Sequence, residues 1–207
     1  MDNILIQSFG RRLGKKMGES RRTHLDELLP LYAVNQEELT GKEVIFEIGF
    51  GDGQRIAKEA LANKNKLFIG AEPFLNGVGT LLKTMKQEKI ENIRIYPEDG
   101  RVLLENFNDH TLSKIYILFP DPWPKAKHHK RRIINHELLS LLKQKLIKNG
   151  EVIIATDHAE YANYIDDHLK EYKLLSREKP KEWYKTKYQE KAENLGLTIK
   201  FFCLKFE

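Results

Sequence analysis

Phe119-Pro120-Asp121-Pro122-Trp123-Pro124-Lys125 sets one carboxylate and one indole between prolines, and Lys127-His128-His129-Lys130-Arg131-Arg132 follows almost directly. Prolines at 120, 122 and 124 fix φ at every second residue and push the residues before them out of the helical region, which predicts a loop that is stiff before any ligand arrives. A stiff loop loses little entropy on binding. The five Lys and Arg between Lys125 and Arg132 add positive charge beside it. Either half alone is also what a proline-rich connector or a solvated charge run looks like; together they point to chemistry performed on a nucleic acid. Lys127, Lys130, Arg131 and Arg132 are read as RNA contacts. His128 and His129 have no Cys or carboxylate at ligand spacing, so rim residues near phosphate are expected and no metal.

A second constellation lies upstream, in Glu47-Ile48-Gly49-Phe50-Gly51-Asp52-Gly53. Gly49 and Gly51 let the backbone turn sharply and approach a ligand, just before a helical pattern that begins near Gln54. A dinucleotide fingerprint would need glycine at position 54, which is Gln, and Glu47 would face a pyrophosphate unfavourably. Glu47 instead suits a ligand with positive charge, such as the sulfonium and amino groups of S-adenosylmethionine. Glu72 closes the next apolar run, where a carboxylate can accept from both hydroxyls of a ribose. Asp99 closes the third and suits an adenine amino group; the other reading is a helix N-cap.

These residues need a scaffold that brings strand ends together. Short β-branched and aromatic runs at Val44 to Gly49, Leu67 to Glu72, Ile93 to Glu98, Lys114 to Phe119 and Glu151 to Thr156 read as strands. Between them, Gln54 to Asn63, Leu75 to Lys89, Asn135 to Ile147 and Ala159 to Tyr172 repeat apolar residues at three and four positions, as helices do. This alternation predicts an α/β fold with a mostly parallel sheet and helices on both faces. Lys173 to Arg177 and Leu197 to Phe206 read as an antiparallel edge pair joined by a polar loop with too little apolar periodicity for a crossover helix.

The chain has 207 residues, 41% of them hydrophobic, which fits one domain. Net charge is only +5, so basic character lies in clusters, a second being Arg11, Arg12, Lys15, Lys16, Arg21 and Arg22. Residues 1 to 22 lack periodicity and are read as a mobile basic arm that orders on a partner. The single cysteine, Cys203, and the lack of an apolar run long enough for a membrane span or a signal peptide fit a cytoplasmic protein.

From about Phe9 onward, and above all in Phe-Pro-Asp-Pro-Trp followed by Lys and Arg-Arg, the chain resembles the bacterial tRNA (guanine-N7)-methyltransferases. The resemblance implies a Rossmann-like class I methyltransferase that transfers the methyl group of S-adenosylmethionine to N7 of guanosine 46 in the tRNA variable loop, as monomer or homodimer with no obligate protein partner. It carries cofactor binding onto Glu47, Glu72, Asp99 and Asp121, with Asp121 also implicated in catalysis, and substrate contacts onto Lys125 and Asp157. The family's Thr-Lys-Phe-Glu segment falls on Thr186, Lys187, Tyr188 and Gln189, with Gln where the family has Glu. A neutral amide there makes a weaker acceptor, so Gln189→Glu is expected to improve catalysis. Trp123 can stack on a flipped base or pack on its own loop. An N6-adenine enzyme fits the loop order less well, a small-molecule enzyme would not need the basic clusters, and a non-catalytic RNA-binding protein would not keep four carboxylates.

Overall fold

The structure, a computed structural model, describes residues 12–14 and 17–206. Five strands, β1 (Val44–Ile48), β2 (Leu67–Ala71), β3 (Ile93–Tyr96), β4 (Leu112–Leu118) and β5 (Leu146–Thr156), run parallel. β6 (Leu174–Ser176) and β7 (Lys200–Lys205) complete a sheet of order β3-β2-β1-β4-β5-β7-β6, with β7 antiparallel to both its neighbours. Strand residues alternate between two cores, as a pleated sheet requires. Phe46, Ile69, Ile115 and Ile154 share one core with Leu103, Leu104, Leu139 and Ile165; Ile45, Phe68, Tyr116 and Ile153 share the other with Ile56, Leu81 and Met85. Burial on both faces is why the central parallel strands read as mostly apolar runs.

Helices α1 (Glu19–Leu28), α2 (Gln54–Ala62) and α3 (Leu75–Glu88) belong to the second core's side of the sheet, and α4 (Gly100–Asn106), α5 (His136–Lys145) and α6 (Ala159–His168) to the first. Three boundaries differ from the sequence reading. The chain passes from α5 straight into β5 at Leu146, whose backbone is already extended (φ −77°, ψ 141°), earlier than the apolar run suggests, and the pairing with β4 shifts register before it resumes at Glu151. The loop after β6 contains a helix, α7 (Lys187–Asn194), whose interior side buries only Gln189 and Ala192. The stretch read as an arm is helical from Glu19, and residues 12–14 are tied to α3: the Leu75 amide donates to the Arg12 carbonyl (2.9 Å) and the Gly14 amide to Asn76 Oδ1 (3.0 Å). Arg11, Lys15 and Lys16 lie outside the described residues.

Candidate active site

Chain order reverses between β1 and β4, and ligands of open α/β sheets bind beyond the carboxyl ends of the strands at such a point. The loop after β1 turns there with Gly49 and Gly51 at φ +78° and +62°. Its Gly51 carbonyl presses on α3 so closely that a Cβ at Gly77 would lie 2.0 Å from it. Glu72 clamps the turn: its two oxygens accept from the amides of Gly51 (2.8 Å) and Phe74 (2.9 Å). Burial pushes the Glu72 carboxyl up, the two amides oppose that rise, and the nearby negative charges of Glu47 and Asp121 add to it. Each oxygen retains a lone pair for a further donor.

Glu47 is more heavily engaged than the sequence suggests. Both its oxygens accept from Arg55 (3.0 and 2.7 Å), whose other end bonds Glu59 and whose guanidinium lies 3.8 Å from the centre of the Tyr116 ring. Burial works against the charge on Arg55, but Glu47 and Glu59 outweigh it and hold the guanidinium protonated. The expected lone carboxylate is therefore part of a buried cluster of two acids and one base, with one net negative charge at the wall of a cavity. Asp99 is the N-cap of α4: Oδ1 accepts from the Arg101 amide (3.0 Å), and the Arg101 guanidinium bonds both oxygens (3.0 and 2.7 Å). The cap reading is the observed one, and the same carboxylate also lines the cleft.

Beyond β4 the chain is strained where chemistry was expected. Phe119 and Trp123 adopt φ of +53° and +43°, costly for bulky side chains and common at functional sites. Asp121 is exposed in this loop, on the wall of the cleft shared with Glu72 and Asp99. Trp123 packs on its own scaffold, edge-on to His128 (5.8 Å) with the Arg131 guanidinium 4.9 Å from its ring centre. Lys125, Lys127 and Lys130 are exposed around a 3₁₀ turn, Ala126–Arg131. Arg132 overturns the reading of an RNA contact, because it is buried, only 1% exposed, and bonded to Glu160 and the Pro122 carbonyl.

The segment at α7 divides. Thr186 caps the helix, its hydroxyl accepting from the Gln189 amide (3.0 Å), and Lys187 lies 3.7 Å from Asp52. Tyr188 stacks on Phe119 with ring centres 6.4 Å apart and stands between two cavities, of about 560 and 370 Å³, lining both. Gln189 corrects the sequence reading: 2% exposed, it lines neither cavity, accepting from Trp183 Nε1 (2.6 Å) and donating to Glu193 (2.8 Å). Asp157 is half-buried just past β5 and Lys125 is exposed, and neither lines these cavities. The improvement expected of Gln189→Glu therefore reverses. A carboxylate there meets Glu193 with no donor between them, so we expect the variant to lose about 1–3 kcal/mol of stability with no gain in turnover, read by thermal melting and steady-state kinetics. A higher kcat/KM for tRNA would contradict this.

Arg21 of α1, Asn76 and Thr80 of α3, and Lys191 of α7 line the larger cavity, and Arg101 the smaller; the sequence reading assigned none of them to a site. Arg21 stood among the basic residues of the supposed arm, and only the docking of α1 on α3 brings it inward. The network around Arg55 had a visible signal, a charged residue on the face of α2 that buries Ile56, Ala57 and Ala60.

A glycine turn after β1 and acidic residues at the carboxyl ends of β1, β2, β3 and β4 on one doubly wound sheet form the kind of edge at which nucleoside-containing ligands bind, and the comparisons with known proteins give the class, a methyltransferase. Residues 41–202 match the family model described as "Putative methyltransferase". The chain is 40% identical over 196 residues to the tRNA (guanine-N(7)-)-methyltransferase of Wolbachia pipientis wMel, covering 88% of this chain and 89% of that one. It is 37% identical over 210 residues to the bifunctional methyltransferase of Rickettsia conorii, covering 97% of this chain and only 40% of that one. A SAM dependent methyltransferase from Aquifex aeolicus shares the fold, with a TM-score of 0.54 at 12% identity over 93% of this chain and 100% of the other. The chain belongs to the tRNA (guanine-N(7)-)-methyltransferase family.

Proposed function

We propose that this enzyme methylates N7 of guanosine 46 in the variable loop of tRNA, using S-adenosylmethionine. One observation carries the reading: Glu72, Asp99 and Asp121 line a single cleft beside the glycine turn. The donor set fits that cofactor. Glu72 is placed for ribose hydroxyls, Asp99 for the adenine end, and the glycine turn together with the net-negative cluster at Glu47 for the charged end. When bound, S-adenosylmethionine supplies an electrophilic methyl group.

Guanine N7 carries a free lone pair, so the protein has no proton to remove before methyl transfer. Positive charge grows on the purine ring instead, and Asp121 on its stiff loop offers a fixed negative charge to meet it. Tyr188 and Phe119 wall the cleft and limit the approach of water. The exposed Lys125, Lys127 and Lys130 take the backbone of the RNA. A tRNA substrate fits a cytoplasmic setting, which belongs to the same proposal; among the described residues no helix is long and apolar enough to cross a membrane.

Labelled S-adenosylmethionine and bulk tRNA, followed by mass spectrometry of nucleosides and mapping of the modified position, test the reading. The expected product is 7-methylguanosine at position 46, and N6-methyladenosine or no incorporation would reject it. Lys127→Ala with Lys130→Ala should weaken binding of every tRNA and flatten the plot of log K against log salt by roughly 0.7–0.9 for every phosphate that is no longer neutralised. An unchanged slope would place these lysines away from the RNA.

A further inference from the structure

Arg132 heads the large buried side chains of the described residues and lines neither cavity. Its guanidinium uses a rigid fork of donors in two directions: Nη1 and Nη2 bond the two oxygens of Glu160 on α6, while Nε donates to the Pro122 carbonyl at 2.9 Å. The rings of Tyr161 and Tyr164 flank it, with centres 5.1 and 4.6 Å from the guanidinium carbon. Tyr161 is itself buried in the core, and its hydroxyl accepts from the Ile134 amide (3.3 Å), so the residues after Arg132 are tied to the same helix.

The bond to Pro122 falls on a sensitive peptide. Pro122 O belongs to the peptide unit that leads into Trp123, whose φ of +43° is unfavourable for a bulky residue. Rotating that unit, by changing ψ of Pro122 together with φ of Trp123, would relieve the strain. It would also swing the carbonyl away from Arg132 and move the backbone next to Asp121. A partly buried, charge-assisted hydrogen bond opposes that rotation. We propose that Arg132 is a positioning residue, which holds the Asp121 loop in its reactive shape through the Pro122 carbonyl and transmits the rigidity of α6 to it. The proposal rests on the reading of Asp121 as the group that meets charge growing on the base.

Arg132→Lys keeps the charge opposite Glu160 but lacks the fork that reaches Pro122 as well. With both substrates saturating, its single-turnover rate of methyl transfer should fall by on the order of ten- to a hundred-fold, as small misplacements of reacting groups do. Calorimetric affinity for S-adenosylmethionine, affinity for tRNA and its salt slope should stay as in the parent enzyme. A parent-like rate at saturation in the folded variant overturns the proposal, as does a flattened salt slope with the rate retained, which would make Arg132 an RNA contact. Where Arg132→Lys does not fold, Glu160→Ala asks the same question from a half-exposed position: a slower step with affinities kept supports the proposal, and an unchanged step overturns it. Asp121→Asn runs in parallel. A full rate there removes the Asp121 reading itself, whereas a slow Asp121→Asn beside a full-rate Arg132→Lys removes only the positioning role.

Discussion

Asp121→Asn is expected to lower kcat by about 10²–10³-fold, the usual consequence of removing one preorganised electrostatic group, while tRNA affinity stays close to that of the parent. The substitution keeps shape and removes charge, so prolines 120, 122 and 124 and the Arg132 bond should hold the loop where it is. What the substitution removes is the negative charge that the proposed mechanism sets against the purine as it becomes cationic. Because that charge matters more as the ring becomes positive than before attack, the loss belongs in kcat as well as kcat/KM. Single-turnover kinetics at saturating tRNA and S-adenosylmethionine provide the measurement. If only the KM for S-adenosylmethionine rises, Asp121 is a binding residue and the electrostatic role assigned to it is wrong.

Glu72→Ala should be the most damaging change for cofactor binding. Removing one charge-assisted hydrogen bond costs about 1.5–3 kcal/mol, and this carboxylate, the proposed acceptor for the ribose, also clamps the Gly51 and Phe74 amides that shape the glycine turn. An affinity loss on the order of a hundred-fold by calorimetry is therefore expected, with the fold retained. The parent enzyme should show a matching pH dependence. Burial raises the Glu72 carboxyl, and in the proposed contact the ribose hydroxyls donate to its ionised form, so affinity should weaken on acidification and begin to do so at a higher pH than for an ordinary glutamate. Unchanged affinity in a folded Glu72→Ala protein would remove Glu72 from the site.

How far the sequence discloses such a molecule depends on which physical term places each residue. The five parallel strands were legible because two-sided burial leaves runs such as Val44 to Ile48 almost free of charge. The acidic residues after them were legible because a strand end is a fixed address in this kind of sheet. α7 was not, since Lys187, Glu190, Lys191 and Glu193 give it a polar composition and only one narrow side turns inward. Lys130 and Arg132 are equivalent in any count of charge, yet one is exposed and the other sealed against α6; the packing of Tyr161 and Tyr164 and the bonds to Glu160 and Pro122 separate them. Gln189 shows the opposite failure. The family pattern marked it as a departure at a contact, whereas its two partners, Trp183 and Glu193, lie inside the protein's own C-terminal region.

The antiparallel β7 governs the order in which the protein can be made. During synthesis β1 to β5 emerge first, and the outer edge of β5 has no neighbour until Lys200–Lys205 follow and slide in between β5 and β6. An open strand edge is a template for pairing with other chains, so the nascent protein passes through an aggregation-prone interval that ends only with that insertion. Tyr188 lies on the stretch between β6 and β7 and lines the cleft. The residue that lines the cleft and the strand that covers the β5 edge are thus close neighbours along the chain, so whatever delays the seating of β7 is expected to delay completion of the cleft wall as well.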